Sequence, residues 1–250
     1  METPSNTRRP LPRAGQSAVR LCSYVVVKDT GFAPNPFGGF CTLAACTPNH
    51  QGIKLGRDDW ILGNSSTRKG RRLVFAMRIS EPPLDFDDYY RDPRFAEKKA
   101  DASTWQGRCG DNIYFRDAGG QWAQGPAFNH TDDRLFGKDT RYHHVFISDH
   151  FFYFGENALD IPEEYSSLVR TTQGCCWRRH DPNTVSEFIA WIEQYSTGAR
   201  TVESSGSRLH GLPRDRDAGE GCAARCGHLV QPAGTGGHVS EHSRHAPRCV

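Results

Sequence analysis

The chain has 250 residues with 31 Lys and Arg against 29 Asp and Glu, so a formal net charge of +2 gives no whole-molecule field that would draw it to nucleic acid. Any phosphate binding must therefore rest on a local patch. Nine cysteines, an odd number not spaced as a small disulfide scaffold, and no apolar run of the length a signal peptide or membrane helix needs point to free thiols in the cytoplasm and no membrane partner.

Residues 1–20 carry Pro4, Pro10 and Pro12 among Arg8, Arg9 and Arg13, and read as a flexible basic leader. A transit peptide would need an amphipathic helix that these prolines break. Val25, Val26 and Val27 read as a buried strand that passes into a loop holding Phe32, Phe37 and Phe40. That loop is too apolar for an idle connection, and Pro34 and Pro36 stiffen it, so it is expected to form a pocket wall. Cys41–Cys46 is a helical turn or a short strand, ended by Pro48 and Gly52.

Asp58–Gly63 and Leu73–Ile79 form an expected antiparallel pair joined by the polar loop from Asn64 to Arg72, and Pro82 and Pro83 end the second strand. Asp85–Tyr90 places acids in the first turn of a short helix that can run no further than Asp92. The stretch 94–136 reads as long loops around short strands, with Asn112–Phe115 the best strand candidate. Tyr142–Ile147 and His150–Phe154 are two β-rich runs, separated by Ser148 and Asp149 as in a tight hairpin or a bend in one strand.

Thr184 and Glu187 match a capping box, and Val185, Phe188, Ile189, Ile192 and Tyr195 follow one helical stripe that should dock on the sheet. Gly198 is the expected stop. From Ser196 onward there is no Phe, Trp or Tyr, and residues 199–250 are expected to be disordered. The chain thus reads as a single α+β domain over 21–198, with a mixed, mainly antiparallel sheet that is curled or closed into a β-barrel, flanking helices and disordered termini.

Chemistry is sparsely marked. Cys222 and Cys226, with His228, His238, His242, His245 and Cys249, are ligand types that zinc selects, but they lie among glycines with no apolar staple, so no metal site is expected. Phosphate loops, dinucleotide fingerprints, nucleophile elbows and zinc-protease or zinc-deaminase motifs do not occur, and no cofactor is expected. Cys22, Cys175 and Cys176 sit in apolar company as small hydrophobes rather than nucleophiles. His143 and His144 point to opposite faces of a strand, so one can face a pocket, or both can be structural.

There remain aromatic and polar loop residues: Asp29, Thr30, Phe32, Asn35 and Phe37, with Trp60 and the further rings Trp105 and Trp122. Aromatic faces stack on bases, and Asn or Asp can read a Watson–Crick edge, although most such rings in a β-rich domain are core. Asn35 either reads a ligand or ties down its own turn. Arg68, Lys69, Arg71 and Arg72 are the densest basic cluster, either a phosphate site or a solvated loop.

The motifs Lys28-Asp-Thr-Gly-Phe-Ala-Pro-Asn-Pro-Phe-Gly-Gly-Phe-Cys-Thr-Leu-Ala44, Asp59-Trp-Ile-Leu-Gly63, Leu73-Val-Phe-Ala-Met77 and Tyr142-His-His-Val-Phe-Ile-Ser148 resemble the nucleotide modification associated domain 2 family over about Leu21 to Tyr195. The resemblance implies a role beside systems that modify or handle altered bases in DNA. More loosely, the strand pair is similar to the opening of PUA-like domains of the EVE and ASCH type, β-barrels of which several bind modified or flipped bases.

Two functions follow as expectations. The first is a nucleobase- or nucleotide-binding module for an altered base or nucleotide, whose partner is nucleic acid or a nucleotide, with DNA the favoured form and RNA or a free nucleotide left open. It would use Asp29, Thr30, Phe32, Asn35, Phe37 and Trp60 at the base, and Arg68, Lys69, Arg71 and Arg72 at phosphates. The second is an enzyme using Asp29 with His143 or His144 in acid–base chemistry, which requires one of those rings within hydrogen-bond reach of Asp29. The oligomeric state leaves no trace in the sequence.

Overall fold

Arg20 ties the start of the folded part to its first strand pair. Its main-chain amide and its guanidinium both donate to the buried carboxylate of Asp59, which also accepts from the Gly56 amide at 2.8 Å. The acid before the Trp-Ile-Leu run is thus a structural clamp. The computed structural model describes residues 18–45, 53–172, 175–176 and 180–198. The expected disordered segments, 1–20 and 199–250, lie outside the described residues apart from Ala18–Arg20, and so does the Cys/His-rich stretch after Gly221.

Among the described residues ten strands form three open sheets. They are β1 (Leu21–Val26), β2 (Cys41–Leu43), β3 (Trp60–Ser65), β4 (Leu73–Arg78), β5 (Leu84–Asp85), β6 (Tyr114–Arg116), β7 (Trp122–Gln124), β8 (His144–Ser148), β9 (His150–Tyr153) and β10 (Cys175–Cys176). The larger sheet runs β10-β1-β3-β4-β9, the second β2-β8-β5, and β6-β7 is a hairpin. β1 and β3 are parallel and the remaining pairs antiparallel. The domain is α+β as expected, but the barrel alternative is not what forms: β10 and β9 remain edges.

Strand β1 has neighbours on both sides and cover on both faces, so all six of its residues are buried, which a β-branched and aromatic run tolerates. One face of the larger sheet carries Leu21, Trp60, Leu62, Ala76 and Phe152, and packs on Val185, Phe188 and Ile192 of helix α4 (Pro182–Ile192). The opposite face carries Cys22, Tyr24, Ile61, Phe75, Met77 and Phe151 against Cys41, Leu43 and Phe146 of the second sheet. Beyond that sheet, Val145 and Ile147 meet Phe86 and Tyr89 of helix α1 (Phe86–Arg91) and Tyr114 of the hairpin. Two short helices, α2 (Trp105–Arg108) and α3 (Asp133–Asp139), precede and follow the hairpin.

The run from β8 to β9 is a bend, not a hairpin. β8 pairs with β2 and β5 while β9 pairs with β4, so the chain crosses between sheets at Asp149. Ser80 fixes the corner, accepting from the Asp149 amide at 2.8 Å and donating to its carboxylate at 2.5 Å. Helix α4 starts earlier than its capping-box reading. Asp181, not Thr184, is the N-cap, accepting from the Thr184 amide at 2.9 Å, with Pro182 in the first turn where its missing N–H costs nothing. Tyr195 lies beyond α4 and is exposed. Among the described residues no helix is long and apolar enough to cross a membrane.

Candidate functional site

Because β1 and β3 run parallel in register from Leu21↔Trp60 to Val26↔Ser65, the loops that follow them leave from one end of the larger sheet. The aromatic loop after β1 and the basic loop after β3 therefore share that end. Asp29, half-buried, accepts from the Tyr153 hydroxyl at 2.6 Å and from the Gly31 amide at 3.1 Å. Tyr153 is opposite Phe75 on β4, so the last residue of β9 delivers its hydroxyl to the loop. Burial first, then the Asp29 charge, pushes the Tyr153 phenol well above its ordinary range, so it stays a proton donor to the carboxylate.

Beside this pair Phe37 meets the half-buried Trp105 edge-on, centroids 5.5 Å apart, over Cys109 and Tyr153. The Cys109 thiol reaches the carbonyls of Thr30 at 3.1 Å and Trp105 at 3.3 Å. Burial pushes that thiol up to about 12 and pushes Cys41 further, so both are protonated at neutral pH and neither is a poised nucleophile.

Beneath the loop lies a buried polar network. Lys98, almost fully enclosed, donates to the Asn35 carbonyl at 3.0 Å, the Asn35 side-chain oxygen at 2.9 Å and the Phe40 carbonyl at 2.7 Å, as many bonds as an ammonium has protons. Asn35 also donates to the Cys109 carbonyl at 2.8 Å and accepts from the Phe37 amide at 3.2 Å. The Asp111 carboxylate, equally buried, accepts from Thr42 at 2.7 Å and Tyr89 at 2.8 Å. Burial pushes Asp111 up to about 6 against the opposing pull of Lys98 and those hydroxyls.

The structure gathers some of the expected residues and separates others. Asp29, Thr30 and Phe37 come together with Tyr153 and Trp105. The buried Asn35 amide is turned inward, bonded to the Cys109 carbonyl and the Lys98 ammonium. Phe32 is fully buried, its ring 4.8 Å from that of His130. Trp60 belongs to the opposite face of the larger sheet, stacked on Phe152, and is not brought to the loop. Arg68, Lys69 and Arg71 are exposed, while Arg72 lies 2.9 Å from Asp160. His143 lies 2.5 Å from the Asp85 carboxylate, and His144 is exposed at the start of β8.

A family model described as nucleotide modification associated domain 2 matches residues 18–205. The chain belongs to that family. Neither the curated proteins nor the solved structures offer a match. Family membership associates this domain with nucleotide modification, and the long first motif, Lys28–Ala44, is the segment that builds the loop over the Lys98 network. Sequence reasoning missed Tyr153, Lys98, Asp111 and Cys109. The last three sit in a Gly- and polar-rich stretch read as loop, where only a buried lysine's tertiary partners could have distinguished it from a solvated one.

Proposed function

We propose that this domain of the nucleotide modification associated family binds a nucleobase or nucleotide, in DNA rather than RNA, at the end of the larger sheet where the aromatic and basic loops meet. The observation that carries this reading is the half-buried Asp29–Tyr153 pair beside the Phe37–Trp105 rings. A carboxylate only accepts hydrogen bonds, so Asp29 would take a base edge with N–H groups, as guanine presents, while the rings supply a face for stacking. Thr30 and Phe37 border the base in this reading. Arg68, Lys69 and Arg71, free of ion pairs to Asp160, would meet the backbone phosphates.

A panel of nucleosides and short oligonucleotides, with ordinary and modified bases, tests this by thermal shift. A bound ligand present at a hundred times its Kd raises stability by about 2.7 kcal/mol, which shows as a higher Tm. Asp29→Asn should reduce the shift for bases with N–H edges. No shift from any base at millimolar concentration would remove the proposal.

A further inference from the structure

The hairpin carries a second constellation that shares no residue with the Asp29 site. The Arg116 guanidinium lies 4.0 Å over the Trp122 ring, Trp122 is 5.4 Å from His143, and His143 is 5.5 Å from His144. Four planar groups, cationic or able to become so in three cases, thus form a continuous ladder from β6 across β7 to the start of β8. Phe86 supports Trp122 edge-on at 6.1 Å, and the Arg116 carbonyl accepts from Arg91 at 3.0 Å, so the ladder is braced rather than loose. Its outer end is open: His144 and Arg141 are exposed, as is Tyr142 at 42%.

The nearby acids are engaged with the protein. Asp85 caps α1 and faces His143, Asp87 accepts from Arg91 and the Arg116 amide, and Asp117, exposed at the hairpin turn, accepts from the Gly119 and Gln121 amides; Asp88 stands exposed on α1. We propose that this ladder is a stacking track for single-stranded nucleic acid, with bases laid on the flat groups and phosphates met by Arg116 and Arg141. Aromatic and guanidinium planes stack on bases while the same arginines meet the backbone phosphates, the pairing that single-strand binding uses. A duplex offers its base faces only to itself, so the track takes a single strand.

Anisotropy of a labelled 16-residue oligothymidylate, alone and annealed to its complement, tests this at low salt. Because Trp122 also packs on Phe86, the variants are placed at the two ends, exposed His144→Ala and half-buried Arg116→Gln, whose guanidinium also donates to the Gly120 carbonyl at 3.0 Å, with circular dichroism to verify folding. The single strand should bind more tightly than the duplex, each variant should weaken it about tenfold, and log Kd should rise against log salt with a slope of about 1–2. Trp122→Phe, which keeps a stacking ring, should retain binding while losing part of the tryptophan quenching. A single strand that does not bind, that binds no better than duplex, or that binds both end variants as well as the parent would overturn the proposal. The last result is also what a protein-docking patch would give. Asp29→Asn alters only the Asp29 site and His144→Ala only the track, so the two readings fail separately.

Discussion

The Lys98 ammonium bonds both oxygens of Asn35, main chain at 3.0 Å and side chain at 2.9 Å, so one buried cation fixes the tip of the loop between Pro34 and Pro36. Replacing Asn35 by Ala would leave the Cys109 carbonyl and the Phe37 amide without a bond and Lys98 with one acceptor fewer. Unpaired buried groups cost about 1–3 kcal/mol each, so Asn35→Ala should lose roughly 2–4 kcal/mol of stability in urea titration. A change under about 0.5 kcal/mol, the range of surface substitutions, would instead return Asn35 to a ligand-reading role.

Gly63 on β3 has a packing reason. A Cβ there would stand 2.1 Å from the Phe75 ring and 2.8 Å from Val26, inside the row Tyr24, Gly63, Phe75, Tyr153 that crosses the larger sheet. Phe75 is fully buried and its ring meets Tyr24 edge-on at 5.8 Å, so it has no room to retreat. Gly63→Ala should destabilise the fold by about 1–3 kcal/mol or more, as overpacking does, and should disturb the Tyr153 hydroxyl at the end of that row. Thermal unfolding reads the first effect and nucleoside affinity the second.

Asp111 predicts a pH dependence of definite sign. Its folded pKa of about 6 lies above the ordinary 3.8, so between those values the folded state holds a proton that the unfolded state has lost. Its contribution to stability is therefore greatest below about pH 4, falls as pH rises toward 6, and is flat above. The fall should be on the order of 2–3 kcal/mol at 1.36 kcal/mol per pH unit. Other carboxylates titrate in the same window, so the measurement is the difference between the parent and Asp111→Asn across pH 4–7. Parallel stability curves for the two would show that Asp111 titrates as an ordinary acid.

Elements set by local pattern were legible. Leu73–Arg78 as a β-rich run, the short acidic helix stopped before Pro93 and the stripe Val185, Phe188, Ile192 are written in side-chain periodicity and proline chemistry, and all form. The parallel pairing of β1 with β3 was not legible, because parallel register leaves no turn signature between its strands. The capping box at Thr184 was matched by residue type alone, and Asp181 next to Pro182 supplied a better cap one turn earlier. At the site, Asp29 and Phe37 stood out by composition. Tyr153 read as one more strand aromatic, since its 124-residue separation from Asp29 is closed only by the β8–β9 corner.

That corner makes Tyr153 the sharpest test of the site. Tyr153→Phe keeps the ring against Phe37 and removes only the hydroxyl bonded to Asp29, whose carboxylate retains the Gly31 amide. Losing one hydrogen bond to a charged group should cost about 1.5–3 kcal/mol of stability at most, and less where water reaches the half-buried carboxylate. If the pair orients Asp29 toward a base, affinity for nucleosides with N–H edges should fall by roughly 1–3 kcal/mol, while ligands that present only carbonyl groups lose little. Calorimetric titration of both ligand types into both proteins checks this. Equal weakening for all ligands would mean that Tyr153 merely shapes the loop, and unchanged affinity for all would place the base somewhere other than beside Asp29.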